Sequence, residues 1–117
     1  MTNEKIISDV LLFMDENKRT RADGRFLPMH GRQILRAGIA TPEEIRSALE
    51  YLRDAKLILC PNLEQHRTAS IQINGITRDG YKLIERLHHP IAEKVKDLIR
   101  RTLSNPSLLI ELIHDLV

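Results

Sequence analysis

The chain has 117 residues, with 18 lysines and arginines against 16 acids, for a net charge of +2 and a pI of about 8.9. That length suits one domain able to bury its own core without disulfides or metals. A composition of 42% hydrophobic and 29% charged residues excludes a disordered or membrane-embedded class.

Aromatic residues make up 3% of the chain: Phe13, Phe26, Tyr51 and Tyr81, with no Trp. This excludes a stacking platform for single-stranded nucleic acid, which needs several exposed rings. Cys60 stands alone and has no partner for an internal disulfide, consistent with a reducing compartment. No apolar run reaches the roughly 18 residues of a membrane span, and Met1-Thr2-Asn3-Glu4-Lys5 lacks the start of a signal peptide. The expectation is a cytoplasmic protein with no membrane partner.

The first element is a helix over roughly residues 3 to 17. Ile6, Ile7, Val10, Leu11, Phe13 and Met14 recur at helical spacing, Asn3 supplies an N-cap, and Glu4 suits the positive end of the helix dipole. Lys5 against Glu4, Asp9, Asp15 and Glu16 leaves this helix at −3, a poor surface for phosphate. From Lys18 to Gly31 the period breaks at Gly24, Pro28 and Gly31, predicting a loop pinned by Phe26, Leu27 and Met29. Arg32 to Arg36 predicts a short helix with Ile34 and Leu35 inward and Gly38 at its end. Lys18, Arg19, Arg21, Arg25, Arg32 and Arg36 against Asp23 alone give a net of +5 over this stretch, the one concentrated charge of single sign. Such runs commonly form solvated surface; the alternative is a row of phosphate contacts.

Thr41-Pro42-Glu43-Glu44 is a strong helix start: a Thr cap, Pro at the first helical position, and Glu44 completing a capping box. Ile45, Ala48, Leu49, Leu52 and Ala55 form its apolar stripe, leaving Arg46, Ser47, Glu50, Tyr51, Arg53 and Asp54 largely outside. Leu57 to Cys60 reads as a short strand, and Ala69-Ser70-Ile71-Gln72-Ile73 alternates as its returning partner. The polar span Leu63 to Thr68 would form the ribbon's tip, with His66 and Arg67 exposed, and Gly75 its exit. Thr77 caps a further helix, with Gly80 approaching the sheet and Ile84 and Leu87 inward.

Pro90 starts another helix with Ile91, Val95, Leu98 and Ile99 inward. After Ser104-Asn105-Pro106, the segment Ser107 to Val117 is apolar over more than half its circumference. It needs either a groove or a second copy. Symmetric pairing is the commoner arrangement, predicting a homodimer through Leu109, Leu112, Ile113 and Leu116.

The run Ile76-Thr77-Arg78-Asp79-Gly80-Tyr81-Lys82-Leu83-Ile84 resembles the threonine-x-x-glycine signature that opens the last core helix of many winged-helix regulators. Together with the helix Glu43 to Ile58, the layout resembles a family of small proteins common in phages, prophages and bacterial mobile elements. The likeness covers most of the chain. What it implies is architecture: a mainly α fold with a small two-stranded β-ribbon, comprising a winged helix-turn-helix core, an N-terminal helix and two C-terminal helices. Residues 1–117 then form one domain, its core over about residues 3–87 and a C-terminal helical extension over about 88–117.

Chemistry finds little purchase. His30, His66, His88, His89 and His114 are scattered, and Cys60 with His66 offers two metal ligands where a structural zinc needs four. No phosphate loop or nucleophile–base spacing occurs, so neither enzyme, metal nor cofactor is expected. The expected function is a DNA-binding transcriptional regulator of phage or mobile-element origin, with duplex DNA as partner. Arg46, Ser47 and Tyr51 would face the groove, while Arg32, Arg36 and Arg67 would hold phosphates. Glu43, Glu44, Glu50 and Asp54 against Arg46 and Arg53 leave the candidate recognition helix at −2, unfavourable for that role. The competing expectation is a protein-interaction or dimerisation module that binds no DNA and acts on a host protein.

Overall fold

A computed structural model describes residues 2–114. Helix α1 (Glu4–Asn17) is capped by Asn3, whose side chain accepts from the Ile6 amide at 2.9 Å. Its fully buried face carries Ile7, Val10, Leu11 and Met14 at the i, i+3, i+4, i+7 spacing of an inward stripe. Helix α1 packs against α3 (Pro42–Asp54), α4 (Arg78–Leu87) and α5 (Ala92–Arg101), so the core lies between it and these three.

Helix α3 starts as its sequence dictates. Thr41 Oγ1 accepts from the Glu44 amide at 3.2 Å, and Glu44 Oε1 accepts from the Thr41 amide at 3.1 Å. Its end is a Schellman turn: the Leu57 amide donates to the Leu52 carbonyl and the Lys56 amide to that of Arg53. Lys56 occupies the left-handed position at φ 62°, where glycine is the usual residue.

That turn anchors the start of α4. Thr77 Oγ1 donates to the Lys56 carbonyl at 2.8 Å and accepts from the Gly80 amide at 3.0 Å, while the Thr77 amide donates to Leu57. A Cβ at Gly80 would stand 2.2 Å from the Leu57 carbonyl oxygen. The threonine and glycine of the motif thus serve one function, seating α4 on the end of α3.

The strands correct the predicted ribbon. Strand β2 (Ile58–Leu59) pairs antiparallel with β4 (Gly75–Ile76), matching Ile58 to Ile76 and Leu59 to Gly75. The other pair joins β1 (Met29–His30) to β3 (Gln72–Ile73), with Met29 opposite Ile73. Residues 69–73 are therefore not the return strand of 57–60. Thr68–Ser70 is a 3-10 turn, and only Gln72–Ile73 is strand, paired elsewhere. Alternation survives, since Ile71 and Ile73 are buried and Gln72 and Asn74 exposed. The chain after β2 is too long for a ribbon turn: it carries two 3-10 turns, Leu63–Gln65 and Thr68–Ser70, and returns to β2 at Gly75–Ile76. Gly75, expected as the exit, sits within the pairing.

The predicted loop from Lys18 to Gly31 holds more order than expected. Residues 19–27 form a hairpin, considered below, and β1 follows. Helix α2 (Gly31–Arg36) begins one residue earlier than predicted, buries Ile34, and ends before Gly38 at φ 70°. Phe26 is partly buried and Met29 buried as expected, whereas Leu27 is exposed.

At the C-terminal end, Val95 and Ile99 of α5 are buried, and a 3-10 turn (Pro106–Leu108) leads into α6 (Leu109–His114). Helix α6 folds back on α5. Leu109 is fully buried and Ile113 is 6% exposed within their own protomer. This corrects their expected place on a dimer face: the groove solution is taken for these two side chains. Leu112 stays exposed alongside Leu108, and Leu116 lies outside the described residues. Ile45, Leu49, Leu52, Ile58, Ile73, Ile76, Ile84 and Leu87 are buried with Leu109 and Ile113 in one core.

Candidate nucleic-acid interface

The six residues expected to meet DNA divide into two groups. Arg46 is half-buried and lies back on the Cys60–Ile71 loop, where Nη1 donates to the His66 carbonyl at 2.7 Å and Nη2 to that of Leu63 at 3.0 Å. Its Nε lies 3.5 Å from Glu50. Two charge-assisted bonds to loop carbonyls, partly open to solvent, together contribute about 2–3 kcal/mol, so this guanidinium is held in place.

Tyr51 corrects the expectation that it faces outward. It is 3% exposed, and its hydroxyl lies 2.6 Å from Thr102 Oγ1, which in turn donates to the Leu98 carbonyl at 2.8 Å. Burial pushes the Tyr51 phenol up to about 12. The apolar arc of α3 is wider than its stripe suggested, because Leu103 and Pro106 cover the flank beside it. Ser47 is half-buried on that flank, lining with Glu50, Asp54 and Ser104 a shallow cavity of about 360 Å³.

The outward ridge of α3 is consequently Glu43, Ser47, Glu50 and Asp54, at i, i+4, i+7 and i+11. Arg53, its other cation, ion-pairs with Asp54 and Glu64. An acidic ridge whose arginines are held by carboxylates and carbonyls repels phosphate.

Arg32, Arg36 and Arg67 differ. All three are exposed. Arg32 and Arg36 stand four apart and share one face of α2. The close approach of α2 to the Thr68–Ser70 turn brings Arg67 to the same end of the molecule. The Gly31 amide donates to the Ile71 carbonyl at 2.8 Å, and a Cβ at Gly31 would fall 1.8 Å from the Thr68 carbonyl oxygen. Arg32 follows that contact directly and Arg67 precedes it directly. Glycine is required here for the approach itself.

Charge pairing follows the same division. Among the described residues, ion pairs engage Lys5, Lys18, Arg46, Arg53, Lys96, Arg100 and Arg101 on or beside α1, α3 and α5, and Arg25 with Asp23 on the hairpin. None engages Arg19, Arg21, Arg32, Arg36 or Arg67. On α4, Arg78, Lys82 and Arg86 are interleaved with Asp79 and Glu85, a mixed face. Arginine therefore outnumbers acid on the hairpin, α2 and the Arg67 turn, where Asp23 is the one carboxylate paired with an arginine among the described residues.

Sequence reasoning missed the hairpin. The signal is Asp23-Gly24, a strong short-range hairpin dipeptide, but no alternating apolar run flanks it.

Cys60 is buried, which pushes its thiol pKa up and leaves it a poor nucleophile. A cavity of about 400 Å³ between α4 and α6 is lined by Asp79, Glu85, His89 and His114 among others. Among the described residues, no three His, Cys, Asp or Glu side chains converge on a metal-binding position, and no helix is long and apolar enough to cross a membrane. No protein-family model, curated protein or solved structure matches the chain.

Proposed function

We propose that the protein is a winged-helix DNA-binding regulator of phage or mobile-element type that holds duplex DNA mainly by its phosphates. Support for the architecture comes from the element order α1–β1–α2–α3–β2, followed by a segment pairing first with β1 and then with β2, and by α4. The observation that carries the function is the segregation of cations. Arg32, Arg36 and Arg67 stand exposed at one end without carboxylate partners among the described residues, while the arginines of α3 are engaged internally. Phosphate contacts position a protein on duplex without reading sequence, so α3 does not need to enter the groove for binding to occur.

A fluorescence anisotropy titration with an arbitrary duplex tests this. Affinity should fall steeply as salt rises from about 50 to 200 mM, and Arg32→Gln with Arg36→Gln should weaken binding equally on all sequences, lowering the log–log slope by about two units. Absence of binding at the lowest salt would refute it.

A second reading, a protein-interaction module acting on a host factor, draws on two features. The acidic ridge Glu43, Ser47, Glu50 and Asp54 would suit a basic partner, and Leu59 is 54% exposed beside Cys60 and Pro61. Either function is compatible with a homodimer formed through the exposed Leu112, with Leu108 beside it.

A further inference from the structure

Between α1 and β1 the chain makes a hairpin with an arginine face. The Arg21 amide donates to the Arg25 carbonyl and the Leu27 amide to that of Arg19, both at 2.8 Å, bracketing the bridge between Thr20 and Phe26. The turn closes through the Gly24 amide donating to the Arg21 carbonyl at 2.9 Å, with Gly24 at φ 85° and the Asp23 carboxylate accepting from the Arg25 amide at 3.0 Å. A type I turn followed by a left-handed glycine is a common three-residue hairpin connection.

Strand alternation places Arg19, Arg21, Arg25 and Leu27 on one face and Thr20 and Phe26 on the other. Phe26 packs on the core, so the arginine face looks outward, and all three arginines are exposed. The register sets Arg21 directly opposite Arg25. Like charges so placed destabilise a strand pair. Asp23 lies 3.4 Å from Arg25, but both side chains are more than half exposed, so the pair offsets little of the repulsion. Core packing does not require this arrangement of guanidinium groups.

A row of anions would relieve it. We propose that the arginine face of this hairpin binds the phosphodiester backbone of duplex DNA, as a second clamp beside Arg32, Arg36 and Arg67; this rests on the DNA-binding function above. The hairpin runs through Leu27 and Pro28 directly into β1 and α2, making the two basic surfaces consecutive in the chain. Arg19 and Arg21 are about 6.6 Å apart along their strand, close enough to serve neighbouring phosphates. All three cations are arginine, whose planar fork binds phosphate bidentately. The hairpin tip, Ala22-Asp23-Gly24, offers no large apolar group to enter a bilayer, which favours nucleic acid over a lipid surface.

The test is an anisotropy titration of the full chain against a labelled duplex across salt, comparing wild type, the triple variant Arg19→Gln, Arg21→Gln, Arg25→Gln, and the pair Arg32→Gln, Arg36→Gln. The triple variant should lower the salt slope by about two to three units and weaken binding on the order of a hundredfold at ~0.1 M salt. Its melting temperature should be unchanged or higher, since a repulsion is removed. Arg21→Glu, which sets opposite charges across the hairpin, should protect the hairpin amides from exchange and still weaken binding. If the triple variant binds like wild type while the Arg32, Arg36 pair does not, the hairpin proposal fails and DNA binding stands. Wild type that ignores duplex at low salt overturns both. Preference for phosphatidylserine vesicles over duplex overturns the proposal in favour of a membrane surface.

Discussion

The Arg46 guanidinium donates to the His66 carbonyl across 20 residues of sequence, at 2.7 Å, and so closes the Cys60–Ile71 loop onto α3. A loop held this way is packed against the domain. Arg46→Ala should destabilise the protein by about 2–3 kcal/mol in denaturant unfolding, leaving two carbonyls short of their donor. Amide exchange should accelerate over residues 60–70. A change in base preference with stability unaltered would instead return Arg46 to a reading role.

The junction of α3 with α4 gives a pair of opposite predictions. Lys56→Gly should stabilise the protein by about 1 kcal/mol, because glycine accepts the left-handed conformation that a side chain disfavours. Gly80→Ala should destabilise it by about 2–4 kcal/mol, since its Cβ would overlap the Leu57 carbonyl. Urea midpoints of the two variants check both signs.

Much of this frame was legible in sequence because it is local. The Thr41 capping box, the start of α1 at Asn3, and the stripe Ile45, Leu49, Leu52 depend on residues within a turn or two of each other. The pairing of the strands was not legible. Ile71 and Ile73 alternate correctly, but alternation specifies a buried face and not a neighbour, and β1 is too short to announce itself. The places of Arg46 and Tyr51 were not legible for a related reason. Tyr51 and Arg46 lie outside the apolar stripe of α3, yet Thr102 and the His66 carbonyl, both distant in sequence, turn them to internal partners. Arg32, Arg36 and Arg67 were readable as charge; what joins them is the approach of Gly31 to Thr68.

Tyr51 should give the protein an alkaline signature. Its folded pKa is raised to about 12 from an ordinary value near 10, so the neutral phenol stabilises the fold fully below pH ~10. As pH rises from about 10 towards 12 the unfolded chain ionises first, and stability should fall by on the order of 2 kcal/mol. Tyr51→Phe should start about 1 kcal/mol less stable through loss of the Thr102 bond, and the gap to wild type should narrow or reverse at alkaline pH. Parallel curves for the two proteins would contradict this.

The C-terminal leucines separate by role. Leu109→Ala removes a fully buried side chain and should cost about 2–5 kcal/mol of protomer stability. Leu112→Glu should leave the fold intact but convert a dimer to a monomer in light scattering. Wild type with a monomer mass at micromolar concentration would dismiss the dimer.

On the proposed function, DNA lies on the hairpin, α2 and the Arg67 turn rather than along α3. An amide chemical-shift titration with duplex addresses it most directly. Perturbations should cluster over residues 19–25, 32–36 and 66–68, with Glu43, Glu50 and Asp54 unmoved. Shifts running along the α3 ridge, or none at any ratio of duplex to protein, would contradict it.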